Sequence, residues 1–381
     1  MNHADTFVAC YYFPNYHPDP RNEKLHGKGW TEWELVKRAK PRFEGHDHPH
    51  IPLWGYEDES DPVVMAKKID AAADHGIDGF IFDWYWYDDG PFLRRGLENG
   101  FLGAHNNKKL KFAIMWANHD WIDIHPARFK CPAKVLYHGS VKPKTFEKMT
   151  DYVIEKYFTH PSYWTIGGCP YFSFYELFRL IENFGGVEGA AKALQHFRNK
   201  VKAAGFPGLH LNAVNWGVKV LPCERIVRNP QEAISYLGFD SVTSYVWVHH
   251  VELPEFPHMP YEYIMKKSVD YWYKASEEFK VPYHPNVTMG WDASPRTDQA
   301  SPFKNIGYPY MSAITGNTPS IFKSALVKAK QFLNCPLIKQ KILTVNCWNE
   351  WTEGSYLEPD TVNGMGYLEA IKDVFGRSSV R

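Results

Sequence analysis

The sequence predicts a single (β/α)8 barrel, a TIM-type barrel spanning residues 1–381, with a long first βα loop. Three observations predict it. Short apolar, β-rich runs alternate with longer helical patterns, and eight such units can be counted along the chain. The runs are continuously apolar, as expected of strands covered on both faces. The first run leads into FPNYHPDP and not into a GxGxxG turn, which favours a closed barrel over an open doubly wound sheet.

The first strand covers residues 6–13 (TFVACYYF). Residues 14–60, rich in Trp, His, Pro and Gly, occupy the place of the first βα loop, and a loop that long is usually functional. Asp61 and Pro62 open a helix, DPVVMAKKIDAAADHG, with Asp61 as N-cap and Gly76 as terminator. The second strand covers 77–87. The third covers 110–116 and is followed by a helix near 143–158. The fourth covers 171–175, with a helix from about 187 to 204. The fifth covers 209–216, with a short helix near 229–237. The sixth covers 241–247, with a helix near 260–279. The seventh covers 286–291, with a helix near 319–333. The eighth covers 341–347, with a closing helix near 364–375.

Composition narrows the function. Lys plus Arg number 43 and Asp plus Glu number 43, so there is no basic face for a phosphate backbone and no nucleic-acid partner is expected. No run of 18 apolar residues occurs, so no membrane span is expected. The start MNHADTFVACYYF lacks the basic and apolar regions of a signal peptide, which reads as a cytoplasmic address. The six cysteines, at 10, 131, 169, 223, 335 and 347, form no CxxC and no zinc-like spacing. Neither cofactor nor metal is expected. Aromatic residues make up 16% of the chain, including 14 Trp. Trp faces pack on the C–H faces of sugars, although core packing explains any single ring about as well.

In such barrels the active site lies at the C-terminal ends of the strands. The eighth strand ends in Trp348, Asn349, Glu350, Trp351, Thr352, Glu353 and Gly354. Two carboxylates three residues apart among Trp, Asn and Gly suit glycoside hydrolysis, which needs one carboxyl to protonate the leaving oxygen and another as base or nucleophile. Burial against Trp would keep one of them protonated. The alternative is that Glu350 and Glu353 are solvated turn residues or cap the last helix. Asp83 lies inside the aromatic run FDWYWYDD beside Trp84, where a carboxylate is either paired or functional. Trp116, Asn118, His119, Asp120 and Trp121 follow the third strand. His119 and Asp120 look superficially like metal ligands but lack a third at readable spacing. The sixth strand ends SYVWVHH, where Tyr245 and Trp247 are either platform or core, and His249 and His250 either bind or are merely exposed. The seventh ends GWDASPR. It sets Trp291 and Asp292 at the rim, with Arg296 to clamp a carboxylate or brace Asp292.

These residues carry a resemblance. The runs GKGWTEWELVKRAKPRFEGHDHPHIPL (residues 27–53), GIDGFIFDWYW, MWANHDW, GWDASPR and WNEWTEGSYLEPD (residues 348–360) resemble the WbsX-type domain, which is glycoside hydrolase family 99-like. The resemblance runs from about Tyr11 to the last helix, and its first and last motifs are the specific ones. It implies a (β/α)8 barrel and a carbohydrate substrate. In family 99 an EWxEG segment supplies both catalytic carboxylates. By that match, Glu353 is the general acid/base, and Glu350 is the base assisting attack of the substrate's 2-hydroxyl on the anomeric carbon. A 1,2-anhydro sugar and net retention on an α-manno unit follow. Trp30 and Glu32 of the first motif join Asp83, Trp84, Trp116, Asn118, Asp120, Tyr245, His249, Trp291, Asp292, Trp348 and Asn349 as substrate-binding candidates. The middle loops, which form the subsites, depart from family 99, so mannose specificity does not carry over with the motif. WbsX-type domains are also labelled glycosyltransferases. A nucleotide-sugar transferase often shows a DxD motif, whereas this chain has D-W-Y and D-D-G. A non-catalytic carbohydrate-binding barrel is the third alternative.

Overall fold

Side chains along each strand alternate between the barrel interior and the helix layer, and this period of two decides which residues reach the site. The computed structural model describes residues 6–376; residues 1–5, part of the run behind the signal-peptide expectation, lie outside the described residues. Strands β1 (Phe7–Tyr12), β2 (Gly79–Tyr87), β3 (Lys111–Trp116), β4 (Cys169–Phe174), β5 (His210–Val214) and β6 (Ser241–Thr243) run parallel, each bonded to the next. Strand β7 is split by Pro285, which has no N–H to give the ladder. Its first piece, Tyr283–His284, pairs with β6, and its second, Asn286–Thr288, pairs with β8 (Ile342–Asn346). β8 pairs with β1, so the path returns to its start and closes the expected barrel.

The helices begin where the sequence punctuates them. Asp61 accepts the Val63 N–H at 2.8 Å to cap α3 (Pro62–Asp74), which follows α1 (Pro20–His26) and α2 (Trp33–Arg38) of the long first loop. Then come α4 (Pro143–Val153), α5 (Leu177–Asn183), α6 (Val187–Ala203), α7 (Pro230–Leu237), α8 (Tyr261–Glu278), α9 (Pro319–Leu333) and α10 (Gly366–Phe375). Between β2 and β3 the connection carries a π-helical turn, Gly96–Phe101, in place of an α-helix. No helix among the described residues is long and apolar enough to cross a membrane.

The sixth and seventh strands differ most from expectation. The sixth strand stops at Thr243, and Trp247–His249 forms a 3-10 turn. The seventh begins at Tyr283 and leaves the ladder after Thr288, because Gly290 passes close to the β8 turn: a Cβ there would lie 2.4 Å from the Gly354 carbonyl oxygen. Apart from the first residues of β1, β3 and β4, the strands are buried, as expected, but several inward positions are polar and satisfy one another. Ser173 donates to Asn212 at 2.8 Å, Asn212 to Ser241 at 2.9 Å, and Asn286 to Thr344 at 3.1 Å.

Candidate active site

β8 delivers the WNEWTEG segment to the mouth of the barrel. Asn349–Glu350 pairs antiparallel with Ser355–Tyr356 around a 3-10 turn, Trp351–Glu353. Gly354 permits this turn. Its φ is +62°, and a Cβ would sit 2.8 Å from Asp292 Cβ and 2.9 Å from Asp292 N. Glu350 and Glu353 are thereby held together, both buried, and both line an open cleft.

A buried ion network braces the turn from behind. Trp348 Nε1 and Trp351 Nε1 donate to the two oxygens of Glu358 at 2.9 and 2.8 Å. Lys68 of α3, only 1% exposed, lies 2.6 Å from both Glu358 and Glu59. Asn349 Nδ2 donates to Glu59 at 2.8 Å and to the Phe13 carbonyl at 2.7 Å, and the Phe13 N–H returns to Asn349 Oδ1 at 2.8 Å. Burial pushes the Glu59 carboxyl up to about 7, against the pull of the Lys68 ammonium.

In front of the turn one guanidinium serves three carboxyl groups. Arg296 Nε donates to Glu32 at 2.9 Å, Nη1 to Glu353 at close range, and Nη2 approaches Glu350 at 3.4 Å. Glu353 also accepts from the Tyr308 hydroxyl at 2.6 Å. Thr352 and Asn15 donate to Glu32, each at 2.5 Å. Burial opposes ionisation of Glu32, but Arg296, His125 and these two donors outweigh it and hold its carboxyl below the usual range.

The Tyr245 hydroxyl lies 2.8 Å from both Asp83 Oδ2 and Glu350 Oε2. A hydroxyl has one hydrogen, so two such bonds require that one carboxyl bring a proton of its own. Burial, reinforced by Glu353, raises both Asp83 and Glu350 well above the ordinary carboxyl range. Burial also raises Glu353, while the Arg296 cation and the Tyr308 donor oppose the rise. These groups titrate together. In the resting protein the donors favour an anion on Glu353 and a proton on the Glu350–Tyr245–Asp83 side.

The sequence-selected residues divide sharply. Glu350, Glu353, Asp83, Asp120, Tyr245, His249 and Trp291 line the cleft, as do Trp121, His119 and Arg296. Asp120 is engaged by the Gly139 N–H at 2.8 Å and by Arg179 at 3.2 Å, and His249 by Glu224 at 3.2 Å. Trp84 and Trp116 do not reach the cleft. Asp83 and Met115 point inward, so their neighbours in sequence point outward. Trp84 packs on Tyr157 with ring centroids 6.1 Å apart, and Trp116 on Phe146 of α4 at 5.9 Å. Trp348 is likewise turned away, against Phe80 at 5.0 Å. Asn349 braces the β1 end as described. Asn118 exchanges hydrogen bonds with the Glu176 backbone at 2.8 and 2.7 Å, fastening the β3 end to the β4 end. Trp30 stacks on His26 at 4.2 Å. Glu32 stands behind Arg296 rather than in the cleft. Arg296 clamps carboxylates, and Asp292 has its own partners, His46 at 2.8 Å and His48 at 2.5 Å. Trp247 is core, buried against Tyr261 of α8, and the half-buried His250 stacks on Tyr271.

Sequence reasoning missed Tyr308, Tyr175, Tyr85, His125 and Phe13, all of which line the cleft. It also missed the alternating histidines of HDHPH as partners of Asp292. His46, His48 and Asp292 are buried and bring three ligand-type atoms within 4.8 Å of one another. The Arg42 N–H donates to His46 Nδ1 at 3.0 Å. Neutral His46 therefore carries its proton on Nε2, the nitrogen aimed at Asp292 and the one a metal would need bare. The trio fits a hydrogen-bonded clamp on Asp292, whose carboxyl it holds well below the usual range despite burial.

A closed parallel barrel with paired buried carboxyls at its last strand end belongs to the class of carbohydrate-active (β/α)8 proteins. The chain is a member of the WbsX family: residues 8–371 match the family described as glycosyltransferase WbsX. It is 26% identical over 389 residues to the uncharacterised protein WxcX of Xanthomonas campestris pv. campestris, covering 97% of this chain and 50% of that one. The chain thus spans about half the length of the curated relatives it matches. Among solved structures it resembles a glycoside hydrolase-like protein, with a TM-score of 0.64 and 14% identity over 99% of this chain and 96% of that one. It also resembles the GH99 endo-alpha-mannosidase from Bacteroides thetaiotaomicron, with a TM-score of 0.53 and 13% identity over 97% and 96% of the two chains. At such identities the likeness is one of fold.

Proposed function

We propose that this protein hydrolyses an α-linked glycosidic bond in an oligo- or polysaccharide, of the α-mannosidic type that the family 99 resemblance implies. The observation that carries this reading is the Glu350–Glu353 pair, buried in an aromatic cleft with one arginine shared between its members. Glu353 protonates the leaving oxygen as the C1–O bond breaks. The substrate's 2-oxygen closes on C1 and gives its proton to Glu350. Water then opens the anhydro ring: Glu353 takes the water proton and Glu350 returns its own to the 2-oxygen. Two inversions at C1 give net retention. The resting donors favour the proton on the Glu350 side. The mechanism therefore requires that proton to reach Glu353 as the sugar displaces the Tyr308 and Arg296 donors.

Leaving-group dependence tests the assignment. Glu353→Gln keeps more of its rate on an aryl glycoside of an acidic phenol than on an alkyl glycoside, because that phenol leaves without a proton. Glu350→Gln loses rate on both alike. The opposite pattern exchanges the two roles, and two fully active variants remove the assignment.

A transferase is the second reading, favoured by the family's description. Such an enzyme must hold a nucleotide diphosphate with cationic groups. Among the described residues that line the cleft, Arg296 is the one guanidinium or ammonium group, and three carboxyls already engage it. Saturable binding of UDP- or GDP-sugar would favour the transferase.

A further inference from the structure

Part of the cleft lining is unusual for a sugar site. Met115 from β3, Ile122 and Ile124 from the loop after it, Val220 and Leu221 from the loop after β5, and Val246 beyond β6 line the same cleft as the carboxyl pair. Sugars usually meet flat aromatic rings and hydrogen-bonding groups; these six side chains are apolar and non-aromatic. Several polar groups of the cleft are already engaged. Asp120 holds the Gly139 N–H at 2.8 Å and Arg179 at 3.2 Å. Tyr175 donates to Glu224 at 2.7 Å, and His249 lies 3.2 Å from the same carboxyl. A sugar hydroxyl pressed against these aliphatic side chains would lose its water and gain no partner from them, whereas a methyl group would lose only water contact.

We infer that the sugar unit held in this cleft carries a methyl-ended substituent, lodged against the Met115, Ile122, Ile124, Val220, Leu221 and Val246 side chains. The inference rests on the reading of the cleft as a carbohydrate site. The methyl can belong to a 6-deoxy sugar or to an acetyl group. His119 bears on the second source. Its Nδ1 donates to the Asp120 carbonyl at 3.0 Å, and burial favours the neutral ring, which leaves Nε2 bare as an acceptor for an amide N–H.

Matched pairs of methyl α-glycosides test it by ligand-observed NMR titration of the full chain. Methyl α-D-mannopyranoside is compared with its 6-deoxy and its 2-acetamido-2-deoxy analogues, and methyl α-L-galactopyranoside with methyl α-L-fucopyranoside. Binding needs no turnover, so failure of the hydrolase reading leaves this result standing. At least one methyl-bearing member binds about tenfold tighter than its hydroxylated parent, the discrimination a hydrophobic pocket makes for one such group. A preference confined to the 6-deoxy sugars, or to the acetamido sugar, identifies the source. Leu221→Ser, on a half-buried loop position, and the near-isosteric Val220→Thr both shrink that preference. The inference is overturned if every parent binds as well as its analogue, if no member binds, or if both variants keep the full preference.

Discussion

Replacing Arg296 by Met removes the one cation shared by Glu32, Glu350 and Glu353. All four side chains are buried. Breaking a buried ion pair by deleting one partner costs about 3–5 kcal/mol, because the other charge is left without compensation. Three carboxyls share this arginine, but they respond largely by taking up protons, so the expected loss stays near that range at neutral pH rather than tripling. The pH dependence is the sharper signature. In the wild type, Arg296 helps hold Glu32 below the ordinary carboxyl range. That contribution is present above the unfolded pKa and is lost as pH falls through the folded one. Without Arg296, Glu32 joins Glu350 and Asp83 as a group raised by burial. The folded variant then binds more protons than its unfolded chain, and its stability falls as pH rises. The gap between wild type and variant should therefore be small near pH 4 and widen toward pH 8. Urea denaturation at pH 4, 6 and 8 measures it. A gap that does not change with pH would refute the shared-charge reasoning, and activity restored by added guanidinium would support it.

Three further outcomes follow from the same geometry. Tyr245→Phe removes the donor that helps Glu350 and Asp83 ionise. A hydrogen bond to a charged group is worth about 1.5–3 kcal/mol. The acidic limb of kcat/KM should accordingly move to higher pH, and an unmoved limb would exclude the contact from the active state. Lys68→Met strands Glu59 and Glu358 and should destabilise the fold by about 3–5 kcal/mol in urea melts. The double change with Glu59→Gln should recover part of that loss. Gly354→Ala should lose about 1–2 kcal/mol from its left-handed backbone alone, and more from contact with Asp292. Gly217→Ala, with open space around it, is the neutral control in the same melts.

The barrel is legible because its punctuation is local. Asp61–Pro62, Pro143, Pro230 and Thr318–Pro319 open helices where a fixed φ or a side-chain acceptor is useful, and Gly238 closes one at φ +70°. The carboxyl pair is legible because strand ends are where such barrels keep their chemistry. The platform residues are only half legible. A strand that turns Asp83 inward must turn Trp84 outward, and the alternation that excludes Trp84 is already written in FDWYW. No local signal separates Lys67, which is exposed, from Lys68, which anchors the turn, because only the folded chain brings Glu59 and Glu358 to one of them. Arg296 reads equally well as a brace for Asp292 or as a clamp on other carboxylates. The choice depends on the HDHPH segment reaching Asp292 first, across 244 and 246 residues of sequence. Tyr308 and His125 come from loops with no periodicity, so nothing in their neighbourhood announces the cleft.

The measurement closest to the central claim is release of new reducing ends from α-linked oligosaccharides, without any nucleotide sugar, by the wild type and by Glu350→Gln and Glu353→Gln. The wild type is expected to turn over and each variant to lose roughly 10²–10⁴-fold on unactivated substrate, the scale of general acid–base catalysis. Wild-type rates in both variants, or turnover that appears only with a nucleotide sugar, would contradict that claim.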